Sequence, residues 1–498
     1  MRDINLIAVD LGASSGRIVS GEFTKNGPEI KEIFRFGNRP VHIAGGLYWD
    51  YMKLFQDIKY GLNMAENEVG ALASFSVDTW GVDYGLLSRY GEVVAAPHSY
   101  RDQRTTVDLS AFGQLMPAAQ LFQTTGVYPQ QINSNLQLFS DLRRYPEYSG
   151  LVAQVLLMPD FMNYLFSGIA ETEYTIASTT GLLNAEKWQW DIPLMTKLGI
   201  PTTWFGKPVV GGRVLGPILP AIREEMGLTS PLQVVMGPGH DTAAGLLAVP
   251  LMRHPDKPTA FLSSGTWSIM GIPTKAPITN DTAFANGLTN EGAFDGSNLL
   301  LKNLTGLWII QELQREWSLK GDSISFERMT SEADHATSIH AYIDTGADVF
   351  AQPGGMSEKI HDYLISTLQP LPKTRGELIR LVLESIAYSY RDTLEKIEEA
   401  AGVRVEQIAM FGGGIQNRVL VQLTADVTGL PVITGPIEGS ATGNLVAQLQ
   451  VQNMATDDEV QEIVTALSDA KQCLPTAEKE VDTAYRLYKS AIASHQLS

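Results

Sequence analysis

A carboxylate flanked by hydrogen-bonding groups can take a proton from a hydroxyl while its neighbours stabilise the charge that develops. The segment Gly237-Pro238-Gly239-His240-Asp241-Thr242-Ala243-Ala244-Gly245 offers such a group. It follows a short apolar run, Leu232 to Met236, and the pattern predicts a strand whose end leads into a helix starting at Asp241 or Thr242. An aspartate at a helix start has a plainer use as an N-cap. Against that, His240 and Thr242 flank it with further hydrogen-bonding groups, and the surrounding small residues keep the spot open. A second segment suits phosphate. Val9-Asp10-Leu11-Gly12-Ala13-Ser14-Ser15-Gly16-Arg17 lies between the apolar runs Leu6–Val9 and Ile18-Val19 and reads as strand, tight turn, strand. Its glycines let several backbone N–H groups converge, and its serines and arginine add donors for phosphate oxygens. Asp10 helps an anion only with a cation between them, which points to Mg²⁺. Taken singly, this turn reads equally well as an ordinary hairpin with a polar tip.

Other segments could complete a site. Asp78-Thr79-Trp80-Gly81-Val82-Asp83-Tyr84 follows the strand-like Ala73–Val77 and interleaves carboxylates with aromatics, which suits sugar hydroxyls and C–H faces. A loop anchored by a buried Trp80 is the plainer reading. Tyr100-Arg101-Asp102-Gln103-Arg104 is a dense polar cluster that also reads as a solvated loop with local ion pairs. Lys302-Asn303-Leu304-Thr305-Gly306 leads into a helix containing Gln311, where Asn303 is most simply a helix cap. The remaining histidines show no metal-ligand spacing.

The elements that must position these residues alternate between strand and helix, as in a layered α/β protein. Leu151–Met158 reads as strand or helix, and Pro159-Asp160 caps a helix over Phe161–Phe166. The stretch Val249–Pro258, with three prolines and several charges, suits an inter-domain linker. Thr259–Gly271 then repeats the opening pattern of apolar strand, Ser/Gly turn and apolar strand. We read two related domains, each opening on a hairpin, facing across a cleft. In the second half an apolar stripe predicts a helix over Glu377–Ala401, stopped at Gly402. The strand Ile408–Phe411, the glycines Gly412-Gly413-Gly414, the helix-like Asn417–Val427 and the strand Pro431–Thr434 form a β–glycines–α–β unit. Its glycines stand at a strand's C-terminal end, where ligands of open α/β sheets bind. The polar, acidic tail from Ala455 is expected to be helical, on the surface and without chemistry.

Composition narrows the class. The chain has 498 residues, 44% of them hydrophobic and 18% charged, which is globular and too long for one core. The net charge of −18 repels nucleic acid and anionic membrane. No apolar run approaches a membrane span, and the N-terminal run is too short for a signal peptide. Cys473 is the one cysteine, so intrachain disulfides and multi-cysteine zinc sites are excluded, which fits a cytoplasmic protein.

Together these segments resemble the FGGY carbohydrate kinases. The likeness rests on Val9–Arg17, Asp78–Asp83, Tyr100–Asp102, Met158–Asp160, His240–Ala243, Leu262–Ser268, Gly412–Gly414 with Gln416-Asn417, and Gly435-Pro436 through Gly443-Asn444. They occur in the family's order and span nearly the whole chain. The resemblance implies an actin-like ATPase fold: two ribonuclease-H-like α/β domains with an ATP/sugar cleft between them. The implied divisions are an N-terminal domain over 1–248, a C-terminal domain over 258–452 and a helical tail over 453–498. It implies that Ala13, Ser14, Ser15, Gly16, Arg17, Thr266, Gln311 and Gly413 contact ATP. Gly81, His240, Asp241, Thr242 and Asn303 would bind a ketose, Asp241 would be the general base, and Asp10 would hold Mg²⁺ through water. The implied reaction is ATP-dependent phosphorylation of L-rhamnulose at O1, with L-fuculose or another ketose as the alternative. The implied state is a monomer or homodimer without nucleic-acid or membrane partners. Gly239 stands where serine occurs in some members. A chaperone-like ATPase of the same fold needs no alcohol-activating base. A dinucleotide oxidoreductase would open its helix on Gly-x-Gly-x-x-Gly, which the N-terminal turn lacks.

Overall fold

The computed structural model describes residues 3–253, 255–476 and 480–496, so His254 of the expected linker lies outside the described residues. The chain divides into two compact units. The first comprises residues 1–253, 273–300 and 439–468, and the second comprises 254–272, 301–438 and 469–498.

The first unit is built on a six-stranded sheet in the order Arg213–Pro217, Gln233–Met236, Ser74–Thr79, Ile4–Leu11, Ser15–Thr24, Gly27–Gly37. The three N-terminal strands form an antiparallel meander, and Ser74–Thr79 and Gln233–Met236 add in parallel. The strand Ile4–Leu11 is buried on both faces, which is why its apolar run is nearly continuous. Ile7, Val9 and Leu11 join Leu54, Ile58 and Leu62 of the helix Tyr51–Val69 in one core. Leu6 and Ala8 face the other way, onto Ala441, Leu445 and Leu449 of the helix Gly439–Val451. Each such leucine, isoleucine or valine side chain taken from water contributes roughly 1.5–3 kcal/mol. Leu151–Met158 resolves into the strand Val152–Leu157, paired with Tyr84–Ser88 in a smaller three-stranded sheet, and the helix Met158–Ser167. Pro159 and Asp160 lie inside the first turn of that helix, and Leu157 precedes it as the cap residue.

The tail departs from expectation. Its helix Asp457–Leu467 belongs to the first unit, where Val460 and Val464 are fully buried in the same core as Phe23 and Leu445. Apolar residues at i, i+3 and i+4, here Val460, Ile463 and Val464, mark an inward helical face that the acidic composition masked.

In the second unit Thr259–Ser264 pairs with the strand Trp267–Thr274 as a hairpin, and Gln407–Phe411 and Val432–Thr434 extend the sheet in parallel. The predicted long helix runs Arg375–Ala401. It starts at a Thr374/Glu377 capping box and stops at Gly402, whose φ is 66°. The helix after the glycine loop is Arg418–Thr428, with the Asn417 side chain accepting from the Leu420 N–H. Cys473 is half-buried, and its thiol donates to Gln422 Oε1 at 2.9 Å. Among the described residues no helix is long and apolar enough to cross a membrane.

Candidate active site

In the first unit, strand register brings three of the singled-out residues together. Asp10 stands opposite Asp78 across the parallel pair and opposite Arg17 across the hairpin. Cross-strand partners share a face of the sheet. Arg17 turns its fork onto Asp10, with Nε at 2.9 Å and a terminal nitrogen at 2.8 Å from the same carboxylate oxygen. The arginine expected to add donors for phosphate is thus also the counter-ion of Asp10. The turn between them is held by Gly12 N–H to the Ser15 carbonyl at 2.9 Å and by Asn38, whose side chain donates to the Gly12 carbonyl at 2.8 Å. Ser14 is exposed at its tip.

Asp78 is fully buried. Asn444 donates to its Oδ2 at 2.6 Å, and Gln448 fixes Asn444 through a 2.9 Å bond while donating to the Ile7 carbonyl at 2.8 Å. Ser74 closes the ladder on Gln448 at 2.7 Å. Asp78 Oδ1 meets no hydrogen-bond partner among the described residues. Burial, with Asp10 beside it, pushes the Asp78 carboxyl well above the usual range.

The segment from Gly237 to Thr242 returns to the same strand ends. Thr79 donates its N–H to the Gly239 carbonyl at 2.9 Å, and Thr79 and His240 form a parallel bridge. The buried Glu173 carboxylate accepts from the Gly239 N–H at 3.0 Å, and Thr175 Oγ1 accepts from the His240 N–H at 3.1 Å. A Cβ at position 239 would stand 2.9 Å from Pro159 Cγ and 3.0 Å from Glu173 Oε2. Close packing therefore accounts for glycine here. Asp241 opens the helix Asp241–Leu247, and His240 precedes it as a cap residue with no side-chain cap bond. The N-cap reading of Asp241 does not hold: its carboxylate accepts from Thr242 Oγ1 at 3.2 Å, and 34% of the side-chain surface is open. Walls of protein around the carboxylate push its pKa up; His240 opposes that, and Asp10 and the other neighbours modulate it.

His240 is 9% exposed at its side chain. Its Nε2 lies 3.5 Å from Asp241 Oδ1, and its Nδ1 lies 3.2 Å from Glu291 Oε2. Burial works to lower its pKa, but the Glu291 carboxylate, with Asp241 and Glu173, outweighs burial and raises it to about 9. Gly81 lies in the loop after Ser74–Thr79, where Val82 takes φ 70° and its N–H is caught by Thr179 Oγ1 at 3.1 Å.

Asp83 and Trp80 differ from the sugar-facing role that suited their spacing. Asp83 is 1% exposed, and its carboxylate takes four donors: the Trp49 and Trp80 indoles at 2.6 and 3.0 Å, the Tyr100 N–H at 3.0 Å and Gln137 at 3.1 Å. Trp80 packs on Trp49 at 4.2 Å between ring centroids. The alternating aromatics and carboxylates make an interior anchor for the Gly81 loop. The Tyr100–Arg104 cluster is likewise interior in part: Arg104 is buried, with Nε on Asp141 at 2.7 Å.

The second unit gathers Thr266, Gln311 and Gly413. The Thr266 carbonyl accepts from Trp308 N–H at 3.1 Å, tying the hairpin turn to the helix Trp308–Leu319 that carries Gln311. Gly413 follows Gly412, whose N–H bonds the Pro436 carbonyl at 3.0 Å, and a Cβ at Gly412 would stand 2.7 Å from the Ser264 carbonyl oxygen. Asn303 is exposed within the strand Asn298–Thr305, so it is not a helix cap; Leu307 holds that place.

Among the described residues no three His, Cys, Asp or Glu side chains stand close enough to hold a metal ion directly. Mutual repulsion of Asp10 with Asp78 and Asp241, and the unpartnered Asp78 oxygen, fit a cation held through its water shell.

Residues 6–248 match the N-terminal domain of the FGGY family of carbohydrate kinases, and residues 260–450 match its C-terminal domain. Over 489 residues the chain is 35% identical to a rhamnulokinase of Bacteroides thetaiotaomicron, covering 98% of this chain and 99% of that one. Among solved structures it is similar to a ligand-bound xylulose kinase from Lactobacillus acidophilus, with TM-score 0.80 at 17% identity over 99% of this chain and 98% of that one. It is also similar to Plasmodium falciparum glycerol kinase with ADP, with TM-score 0.78 at 13% identity over 99% and 98% of the two chains. These structural likenesses establish a shared α/β fold.

Proposed function

The chain belongs to the FGGY family of carbohydrate kinases, and from that premise we propose that it phosphorylates L-rhamnulose at O1, giving L-rhamnulose 1-phosphate and ADP. The observation that carries the substrate is the end-to-end identity with a rhamnulokinase. L-Fuculose, the same 6-deoxyketohexose in another stereochemistry, is the second reading.

In this reading Asp241 is the general base. Its carboxylate is open and has no capping duty, and His240 opposes the upward push that burial gives its pKa. It takes the proton from O1–H as O1 attacks the γ-phosphorus, and the bond from that phosphorus to the β,γ-bridging oxygen breaks, leaving the charge on ADP. His240 and Thr242 hydrogen-bond the ketose, Gly81 gives it backbone contact, and Asn303 adds a further contact. Ala13, Ser14, Ser15, Gly16 and Arg17 receive phosphate oxygens, and Thr266, Gln311 and Gly413 contact the nucleotide. Asp10 would hold Mg²⁺ through water, and the ion when bound would neutralise charge on the phosphates. Activity in the cytoplasm fits this use of ATP.

The test is product analysis. Incubation with Mg²⁺, ATP and L-rhamnulose should give a sugar phosphate whose ³¹P signal is split by the C1 methylene protons. Phosphate on another carbon, or no sugar phosphate at all, contradicts the proposal.

A further inference from the structure

Carboxylates stand near both ring nitrogens of His240, and a third acts on it from close by. Glu291 Oε2, on the short strand Thr289–Gly292, is 3.2 Å from Nδ1, and Asp241 Oδ1 is 3.5 Å from Nε2. The third, Glu173, precedes the helix Tyr174–Ser178, and its Oε2 binds the N–H of Gly239 next door. A neutral imidazole has one donor and one acceptor nitrogen. With carboxylate oxygens near both nitrogens, the neutral ring would turn a lone pair toward one anion. Only the imidazolium presents N–H on both sides. Neither Glu291 Oε2 nor His240 Nδ1 has another hydrogen-bond partner among the described residues, so each is left to the other, and the Glu291 side chain is 11% exposed.

We infer that Glu291 is a positioning residue for phosphoryl transfer, one that fixes the His240 ring and keeps it cationic so that Asp241 stays an anion ready to accept the sugar proton. The inference deepens the kinase reading and rests on it only for its kinetic consequence. The order of effects follows from charge. Burial and Asp10 both favour a protonated Asp241, and cationic His240 opposes them. Removing the Glu291 charge removes the strongest attraction holding the proton on His240. A neutral His240 then no longer restrains Asp241, which needs a higher pH to act as a base.

The experiment uses the full chain with isotope-labelled histidine, followed by NMR from pH 6 to 9, with His240→Asn identifying the signal. In the wild type the His240 ring should remain imidazolium through pH 8. In Glu291→Gln it should be neutral by pH 8, and the acid limb of kcat should move up by about one pH unit. The loss should accordingly grow as pH falls, vanishing above both limbs and reaching about tenfold below the wild-type limb. Glu291→Asp, which keeps the charge, should recover part of both effects. A wild-type ring already neutral at pH 7 overturns the inference without any variant. So does a Glu291→Gln protein whose histidine titration and pH profile match the wild type. Failure to phosphorylate a ketose would sink the kinase reading and leave the histidine titration to judge Glu291 by itself.

Discussion

Asp241→Asn separates catalysis from folding because the substitution changes little besides charge and basicity. The amide keeps the shape of the carboxylate and can still accept from Thr242 Oγ1, now at 3.2 Å. The fold loses a favourable charge in the first turn of the helix Asp241–Leu247, worth about 0.3–1 kcal/mol. It gains relief from the burial and the Asp10 repulsion that push this carboxyl's pKa up. These terms oppose each other, so the unfolding temperature should change little. The amide cannot take the O1 proton at all. Loss of a general base costs ~10²–10⁴ in rate, or about 3–5 kcal/mol in the barrier. Calorimetry should find ketose and ATP bound with affinities near wild type, while a coupled ADP assay finds kcat down by that factor. A variant with near-wild-type kcat would show that Asp241 is only part of the helix start. Equal losses of binding and rate would make it a ligand-binding group without the proposed proton transfer.

Other substitutions test the scaffold and its charges. Gly443 sits where the helix Gly439–Val451 crosses Asp241–Leu247, and a methyl there would overlap the Ala244 carbonyl. Gly443→Ala should destabilise by about 1–3 kcal/mol and lower kcat by displacing Asp241, read by thermal unfolding and steady-state rates. Asp78→Asn should raise the unfolding temperature at neutral pH. The Asp78 carboxyl is held above its unfolded pKa by burial and Asp10, so its favourable contribution is full at low pH and is lost as pH rises through the folded value. The variant should flatten that part of the stability–pH curve, and an unchanged curve would place the charge penalty elsewhere. Acid inactivation should follow Asp241: kcat should fall as pH drops through a value above the usual aspartate range, because the protonated carboxyl accepts nothing.

Much of this site was legible in sequence because it is local. The turn Gly12–Arg17, the segment Gly239–Thr242 and the glycines at Gly412–Gly414 each announce themselves within a few residues of an apolar strand. What was not legible depends on partners far away in the chain. Asp78 becomes a raised carboxyl through burial and the register with Asp10, and the donor that partly offsets this, Asn444, lies more than 360 positions distant. Serines at 74 and 76 preceding it on the same face of an otherwise apolar strand hinted at a polar interior edge. Glu291 had no such hint, since only the strand Thr289–Gly292 brings its carboxylate to His240, 51 positions earlier in the chain. Asp83 and Trp80 misled for the same reason: spacing reported which residues cluster, while burial decided that they serve the interior.

The central claim is a kinase of L-rhamnulose, and a ketose panel tests it most directly. ADP release is measured with L-rhamnulose, L-fuculose and D-xylulose under one set of conditions with Mg²⁺ and ATP. The account predicts the highest kcat/KM for L-rhamnulose. A higher kcat/KM for L-fuculose or D-xylulose would contradict it.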